Sequence, residues 1–306
     1  MQVRNRLLCG LLCCIIMLTV FTGCAQKKFQ DTVTWVPTSS TVPPEPEVLP
    51  EVHAASIAHH GGYGYGYPQN TVENITACAK DGWKLVEFDI RWTADGVPVL
   101  AHEDELKLYD SKGTINVSTA TLEQLKAVRL YSNKNIRIST LYEVIYICKL
   151  YDMTACMEFK AHPTDKQLDD LVEYLRNANM LQNCAWASFN LDPLLNVTKR
   201  DPEATVMLNL SNPPELEKLT AEPRLANLLD REGETILSYN QNGLVDMENV
   251  EEYLNSVKNA GFSIEIWTLD DPELIYKYAV IADYIASRYH TVEEAWEIHN
   301  KKHTGR

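Results

Sequence analysis

From residue 55 onward, short apolar runs alternate with stretches in which apolar residues recur every three or four positions. The short runs are rich in β-branched residues, which indicates strands, and the longer spacing indicates helices. Regular alternation of the two is typical of a parallel sheet with crossover helices. Eight strands are predicted: Ser56–His59, Leu85–Arg91, Thr154–Lys160, Cys184–Phe189, Thr205–Leu210, Thr235–Tyr239, Ser263–Thr268 and Asp283–Ser287.

The helical stretches lie between these strands and after the last one. Eight strands and eight helices within about 250 residues predict a (β/α)8 TIM barrel of the α/β class. A Rossmann-type sheet is the alternative, but no Gly-x-Gly-x-x-Gly turn follows the first strand at a helix entry. The predicted helices are Thr71–Asp81, Thr140–Tyr151, Thr164–Ala178, Leu191–Arg200, Pro214–Arg231, Met247–Ala260, Pro272–Ala279 and Val292–His303.

A hairpin is predicted directly after the second strand. Thr93-Ala94-Asp95-Gly96 is typical of a tight turn, and Val97-Pro98-Val99-Leu100 would then return antiparallel. This return brings His102 back over the second strand. Residues 104–139 fit no strand or helix of a barrel, so we predict a small insertion above it, after the hairpin.

The first 23 residues have the pattern of a secretory signal. Arg4 and Arg6 precede an apolar run, and Thr22-Gly23-Cys24 follows it. This ending resembles a bacterial lipoprotein processing site, with cleavage before Cys24 and acylation of its thiol. An uncleaved membrane anchor is the alternative, because the apolar run is only just short of a bilayer span. In both cases we expect attachment to the cell membrane on its extracytoplasmic side.

Residues 24–54 separate this segment from the predicted barrel domain, residues 55–306. Five prolines lie among serine, threonine and glutamate, with little apolar periodicity. This composition predicts an extended tether. An ordered arm packed on the domain is the alternative, and only Trp35 supports it.

The chain is acidic, with a formal net charge of −14. Residues 1–23 contain two arginines and no acidic residue, so the processed chain would carry −16. Such a charge disfavours a nucleic-acid partner and repels anionic lipid. We therefore expect the acyl chains to provide the membrane attachment, and the substrate to be small and soluble.

Four of the eight cysteines belong to the predicted domain: Cys78, Cys148, Cys156 and Cys184. They occur singly inside apolar segments, without Cys-x-x-Cys spacing. We therefore predict buried thiols that bind no metal. A Cys156–Cys184 disulfide is the alternative.

Residues capable of chemistry fall near the carboxyl ends of the predicted strands. Glu87 and Asp89 are two residues apart in an apolar run, so they share one face of the second strand. Glu158 and Lys160 share one face of the third strand by the same spacing. His59 ends the first strand. Because barrel sites form at the carboxyl ends of the strands, these side chains should meet at one mouth.

The residue types indicate a metal site with acid–base groups. Glu87, Asp89 and Glu158 supply oxygen ligands, which select a hard cation such as Mg²⁺ or Ca²⁺. Such a cation would neutralise and orient a phosphodiester. His59 and His102 are suited to take a proton from the attacking water and to protonate the leaving alkoxide. The pattern does not assign these two roles to one histidine or the other.

The ordered motifs resemble those of the glycerophosphodiester phosphodiesterase family. The family pattern runs roughly His-Arg-Gly, Pro-Glu-Asn-Thr, Glu-x-Asp, Thr-x-Asp-Gly-x-x-Val-x-x-His-Asp and Glu-x-Lys. This chain has His59-His60-Gly61, Pro68-Gln69-Asn70-Thr71, Glu87-Phe88-Asp89, Thr93 to Glu103, and Glu158-Phe159-Lys160. The resemblance, over roughly residues 55 to 300, implies metal-dependent hydrolysis of glycerophosphodiesters to an alcohol and glycerol 3-phosphate. It also implies that Lys160 binds the phosphate.

The chain departs from this family pattern at two positions near the predicted site. His60 stands in place of arginine, which binds phosphate in a bidentate manner that histidine cannot reproduce. Gln69 stands in place of glutamate. We predict that His60 still lies at the substrate, that Arg288 at the end of the last strand supplies a guanidinium, and that Trp267 forms a wall of the pocket.

Two other activities and one non-enzymatic function fit the same motifs. One alternative activity is cleavage of lysophospholipids in the manner of a lysophospholipase D, and the other is cleavage of glycerophosphate polymers of a cell wall. The two departures also fit a lipoprotein that binds a phosphodiester without cleaving it. Retention of both histidines and all three carboxylates favours the enzyme. No feature of the sequence indicates an oligomeric state.

Overall fold

The computed structural model describes residues 52–304 except 110 and 246. The predicted signal segment, Cys24 and most of the tether lie outside this range. The strands are β1 (Ala55–Ala58), β2 (Leu85–Trp92), β3 (Pro98–Leu100), β4 (Glu105–Lys107), β5 (Thr114–Asn116), β6 (Thr154–Phe159), β7 (Cys184–Ser188), β8 (Thr205–Leu210), β9 (Thr235–Asn240), β10 (Ser263–Trp267) and β11 (Tyr284–Ser287).

Helices fill most of the segments between these strands. They are α1 (Val72–Lys80), α2 (Leu122–Ala127), α3 (Leu141–Leu150), α4 (Asp165–Asn177), α5 (Leu191–Thr198), α6 (Leu216–Thr220), α7 (Pro223–Leu229), α8 (Gln241–Leu244), α9 (Val250–Asn259), α10 (Pro272–Ala279) and α11 (Val292–Thr304). Among the described residues, no helix is both long enough and apolar enough to cross a membrane.

Eight parallel strands close into a ring within residues 52–304. The order is β1, β2, β6, β7, β8, β9, β10 and β11, and β1 pairs with both β2 and β11. This closed barrel confirms the predicted fold. Each of the eight predicted strands is present, with its ends displaced by one residue at most. Their boundaries were readable because β-branched apolar runs are bounded by turn residues.

The apolar core has two layers, one between the strands and the outer helices and one inside the barrel. Polar side chains are buried at one end of the barrel. Large apolar side chains such as Phe88, Trp186 and Ile264 are buried between the strands and the outer helices. The interior of the barrel holds smaller groups, including Ile57, Cys156, Met207 and Ile236. Glu87, Glu158 and Glu265 are also buried and line a cavity at the mouth.

The predicted hairpin after β2 is confirmed. β3 pairs antiparallel with β2, with Ile90 opposite Leu100. The segment after it contains a second hairpin, β4 with β5, and α2. Val117, Leu125 and Ile138 form its own small apolar cluster with residues of the first hairpin. The insertion is therefore a folded cap and not an irregular loop.

Two predicted helices are wrong in extent. The helix predicted over Pro214–Arg231 is divided into α6 and α7, because Pro223 begins α7 and Glu222 before it is extended, with φ −76° and ψ 107°. The helix predicted from Met247 begins at Val250, and α8 precedes it.

The predicted burial of the cysteines is confirmed. Cys78, Cys148, Cys156 and Cys184 are all buried free thiols. The alternative disulfide between Cys156 and Cys184 is therefore wrong. Burial raises the pKa of the Cys156 thiol well above its usual range, so this group is neutral and packs as a small apolar residue.

Candidate active site

Three carboxylates meet at the mouth of the barrel, as the two-residue spacings predicted. Glu87 and Asp89 point to the same side of β2, and Asp89 is in register with Glu158 on β6. All three side chains are buried, and an oxygen of each lies within 4.8 Å of an oxygen of the other two. The arrangement provides up to six oxygen atoms in one small volume.

Burial and mutual repulsion both disfavour the charged forms of Glu87 and Glu158. Burial, followed by the charges of Asp89 and Glu158, raises the pKa of Glu87 well above its usual range. Burial also raises the pKa of Glu158, although Lys160 opposes the shift. Glu87 Oε1 is buried and has no hydrogen-bond donor among the described residues. These observations fit a divalent cation bound by Glu87, Asp89 and Glu158.

Lys160 supplies the one ammonium group that contacts these carboxylates within the described chain. Its Nζ lies 2.6 Å from Glu158 Oε1 and 3.2 Å from Asp89 Oδ1. Burial lowers the pKa of Lys160, but Asp89 and Glu158 outweigh this effect and raise it overall. One lysine cannot neutralise three ionised carboxylates, which agrees with the raised pKa of Glu87. Contact of Lys160 with a phosphate stays a prediction.

His59 follows β1 in a short 3₁₀ turn and faces the cluster. Its Nε2 lies 4.0 Å from Glu87 Oε2, and its ring stacks on that of His60 with centroids 3.9 Å apart. Burial, followed by the positive charge of neighbours including His60 and Arg288, lowers the pKa of His59 well below 6.5. At neutral pH the ring is therefore uncharged and can accept a proton.

His102 lies near His60, in the loop after β3. The two ring centroids are 5.6 Å apart, and His102 is half exposed. Its Nδ1 is 2.7 Å from Glu103 Oε1. The Arg91 guanidinium donates two hydrogen bonds to the His102 carbonyl oxygen, at 3.1 and 2.8 Å, and so fixes the loop. The hairpin thus brings His102 to the same mouth as His59.

His60 is turned toward the carboxylates. Its Nε2 lies 3.2 Å from Asp89 Oδ2 and 3.9 Å from Glu87 Oε2. Its backbone N–H donates to Glu87 Oε2 at 2.9 Å. Burial lowers the pKa of the His60 ring, and the attraction of Asp89 opposes this change. The ring also lines the cavity, so a contact between His60 and a substrate stays a prediction.

Two further predicted residues have different surroundings. Trp267 lines the cavity, and its Nε1 donates to the Ser238 carbonyl oxygen at 3.2 Å. Its indole lies parallel to the His59 ring, with centroids 6.5 Å apart. The Arg288 guanidinium is paired with Asp270, with Nε 2.9 Å from Oδ2. Arg288 is thus held at the rim by Asp270 and does not contact the carboxylate cluster.

The mouth contains a cavity of about 340 Å³ and a neighbouring groove of about 520 Å³. Both are bordered by His60 and His102, so the groove continues from the side of the cavity that these two histidines line. Phe189 and Trp267 form an apolar wall of the cavity, with their rings edge to face at 5.9 Å. Gln69 and Tyr131 border the groove. The site can therefore hold a small polar ligand with one extended arm.

Asn70 has a role that the sequence did not reveal. Its Nδ2 donates to Asp89 Oδ2 at 2.7 Å, and its Oδ1 accepts from the Asp89 backbone N–H at 3.0 Å. Its φ is +58°, a region that asparagine tolerates better than most residues. Thr71, and not Asn70, caps α1 with its side chain. Asn70 instead fixes the orientation of the Asp89 carboxylate.

Glu265 is a fourth carboxylate in the cavity that the sequence analysis overlooked. Its side chain is almost completely buried, and it lies beside Ser238 in the β9–β10 register. Burial raises the pKa of Glu265 to about 7, Ser238 opposes the change, and Glu158 adds to it. The available signal was its position two residues before Trp267, which places both side chains on one face of β10.

We expect Glu265→Gln to make the domain more stable at alkaline pH. The pKa of Glu265 is raised from 4.5 to about 7, so the unfolded chain loses this proton first as pH rises. Between pH 4 and pH 8, the free energy of unfolding of wild type should therefore fall by about 3 kcal/mol more than that of the variant. Urea unfolding in chelator at both pH values measures the difference. An equal pH dependence in both proteins would show that Glu265 ionises normally.

Comparisons with known proteins agree with this geometry. The model of the family described as glycerophosphoryl diester phosphodiesterase matches residues 60–287. A protein from Bos taurus named glycerophosphodiester phosphodiesterase 1 is 29% identical over 167 residues, which are 52% of this chain and 50% of that protein. The rat protein of the same name is 32% identical over 120 residues, 37% of this chain and 36% of that protein. The chain thus matches half or less of the length of these relatives.

Solved structures also resemble the barrel. A phosphodiesterase from Oleispira antarctica, in complex with the product sn-glycerol-3-phosphate, is 25% identical with a TM-score of 0.63, covering 77% of this chain and 93% of that one. A glycerophosphodiester phosphodiesterase from Thermotoga maritima is 23% identical with a TM-score of 0.61, covering 81% and 99%. The second likeness shows the fold alone.

The described residues form a (β/α)8 barrel with an acidic site at its mouth that is flanked by histidines. Because the family model spans most of the described residues, the chain belongs to the glycerophosphoryl diester phosphodiesterase family. The resemblance stated from the motifs is confirmed at the level of this family.

Proposed function

We propose that the protein is a metal-dependent phosphodiesterase that hydrolyses glycerophosphodiesters to an alcohol and glycerol 3-phosphate. The observation that carries this proposal is the convergence of three buried carboxylates and two histidines in a chain that belongs to the family. The product bound to the related Oleispira antarctica phosphodiesterase, sn-glycerol-3-phosphate, supports the assignment of the product.

Glu87, Asp89 and Glu158 are the proposed ligands of one Mg²⁺ or Ca²⁺ ion. The all-oxygen donor set, and the absence of enough positive charge within the described residues to pair with all three carboxylates, support a hard divalent cation. When bound, the ion would neutralise the charge of the phosphodiester and polarise its phosphorus–oxygen bonds. Asn70 and the backbone of His60 position two of the ligands before any ion binds.

The two histidines divide the proton transfers in this proposal. His59 is uncharged at neutral pH, so its ring accepts the proton of the attacking water. His102 is half exposed and lines both the cavity and the groove, so it is the proposed general acid. The protonated ring then donates to the leaving alkoxide. Glu103 holds Nδ1 of His102, which leaves Nε2 as the atom that transfers the proton.

Substrate contacts come from the residues that line the cavity. Lys160, Trp267 and His60 border it and are the proposed contacts for the phosphate and the glycerol. Arg288 is paired with Asp270 through Nε and Nη2, and it is a further proposed contact for the phosphate. The cavity suits the glycerophosphate half, and the adjoining groove suits the alcohol, because ligand sites enclose small polar molecules in volumes of about 300 to 1,000 Å³.

We also propose that the protein is a bacterial lipoprotein, anchored in the cell membrane through Cys24 and facing outward. The charged, apolar and Thr22-Gly23-Cys24 segments support this proposal, and they lie outside the described residues. Metabolic labelling with a fatty acid should label the wild type, and Cys24→Ser should abolish the label. A labelled Cys24→Ser protein would contradict the anchor.

A substrate panel tests the activity and separates its rivals. The protein is incubated with glycerophosphocholine, glycerophosphoethanolamine, a lysophospholipid and a glycerophosphate polymer, and the released glycerol 3-phosphate and alcohol are measured. We expect the two glycerophosphodiesters to be cleaved fastest. Preferred cleavage of the lysophospholipid or the polymer would identify one of the related activities. Saturable binding of all four without cleavage would identify a binding protein.

A further inference from the structure

The last helix of the domain carries a second group of potential metal ligands. His299 and His303 are four residues apart on α11, so they lie on one face of the helix. Glu273, in the first turn of α10, faces both of them. None of the three residues belongs to the mouth of the barrel. Two histidines at this spacing on a helix are the arrangement that binds zinc in many helical sites.

The donor atoms are already close together. His299 Nδ1 lies 2.7 Å from Glu273 Oε2, and His303 Nε2 lies 3.7 Å from the same oxygen. One donor atom of each residue lies within 4.8 Å of the others. Donors around a tetrahedral zinc ion are about 3.4 Å apart at ordinary bond lengths. Movements of about 1 Å would therefore complete the geometry.

Neighbouring groups hold two of these ligands in place. The His299 ring stacks on Tyr276, with centroids 3.8 Å apart and planes at 14°. Lys302 Nζ lies 3.1 Å from Glu273 Oε1, so it occupies one carboxylate oxygen and leaves Oε2 toward the histidines. The His303 side chain is half exposed, which gives water access to a fourth coordination position.

We propose that Glu273, His299 and His303 bind a divalent transition-metal ion of the zinc class and thereby join α11 to α10. Two imidazoles and one carboxylate favour such an ion over Mg²⁺ or Ca²⁺, which prefer oxygen ligands. The site is thus chemically different from the all-oxygen cluster at the mouth. The ion stabilises the fold, because the two helices that supply its ligands come together only in the folded protein.

Zn²⁺ titration followed by calorimetry tests the proposal, with excess Mg²⁺ present to compete at the mouth. Three variants are compared with wild type. They are a double variant with His299→Ala and His303→Ala, a single variant Lys302→Gln, and His53→Ala as the control. His53 is an exposed histidine outside the cluster. The double variant should lose one equivalent of Zn²⁺ or bind it at least about 100-fold more weakly. Lys302→Gln should bind Zn²⁺ more tightly, because a repelling positive charge is removed.

Thermal unfolding provides a second measurement on the same proteins. Zn²⁺ should raise the unfolding temperature of wild type and His53→Ala, and should not raise that of the double variant. Unfolding in chelator shows whether the double variant is folded, and His303→Ala alone gives a milder variant if it is not. The proposal would be overturned if wild type bound Zn²⁺ with the same stoichiometry and affinity as the folded double variant or the folded variant His303→Ala. Phosphodiester hydrolysis is not needed for either readout, so the proposed function is tested separately.

Discussion

Replacing either histidine at the mouth should lower kcat for glycerophosphocholine hydrolysis by about 10³-fold, because general acid–base catalysis contributes about 10² to 10⁴. In the proposed mechanism, His59→Ala removes the uncharged ring that would accept the proton of water. His102→Ala removes the exposed ring that would protonate the alkoxide. Neither side chain is one of the three proposed metal ligands, so KM and metal affinity should change much less than kcat. Steady-state kinetics at saturating Mg²⁺ or Ca²⁺ measures all of these quantities.

The pH dependence should separate the two roles. The pKa of His59 is well below 6.5, so the acidic limb of kcat/KM should lie below pH 6.5 in wild type. His59→Ala should lose this limb and His102→Ala should retain it. His53→Ala is the matched control, because it removes an exposed imidazole outside the mouth. Near-normal kcat in His59→Ala or His102→Ala would exclude that residue from the chemical step.

The second large effect is expected for Asp89→Asn, which keeps the size of the side chain and removes its charge. Asp89 is completely buried and contacts Asn70, His60 and Lys160, so it organises the carboxylate cluster. Loss of one charged ligand should weaken Mg²⁺ or Ca²⁺ binding by about 100-fold and lower kcat/KM by a similar factor or more. Calorimetric metal titration and steady-state kinetics measure the two changes.

Asp169→Asn is the control for this variant. Asp169 is exposed on α4 and pairs with Arg200, so its charge is screened by solvent and contributes little. Metal affinity and activity should remain as in wild type. Unchanged metal affinity in folded Asp89→Asn would show that the ion, if it binds, has other ligands.

Most of the fold was predictable because hydrophobic periodicity is a local property. The runs Leu85–Arg91 and Thr205–Leu210 were assigned as strands, and the barrel forms them within one residue. The division of the helix at Pro223 was missed, although proline at a helix start is a local signal. The folded cap within residues 104–139 was also missed. Its short strands and helix are stabilised by a small shared cluster and not by long periodic segments.

The site was predictable where two residues share one strand. Glu87 with Asp89, and Glu158 with Lys160, were placed on common faces by the period of two. Long-range hydrogen bonds were not predictable in this way. The bonds of Asn70 to Asp89 span 19 positions in the chain. Such contacts depend on how the loop after β1 packs against β2, which no local pattern records.

Glu265 could not be predicted as a site residue for a different reason. A single glutamate in an apolar strand gives no indication of what it faces until the barrel is closed. Closure places Glu265 near Glu158 across the interior, where burial raises the pKa of Glu265. The same holds for Glu273, since only the packing of α10 on α11 brings it to His299 and His303.

The most direct test of the proposed chemistry is metal-dependent release of glycerol 3-phosphate from glycerophosphocholine. Chelator-treated protein is assayed alone, with added Mg²⁺ and with added Ca²⁺, beside Glu158→Gln under the same conditions. The proposal predicts no turnover in chelator, restored turnover with at least one of the two ions, and little restoration in the folded variant. Full turnover in chelator, or choline phosphate as the product in place of glycerol 3-phosphate, would contradict it.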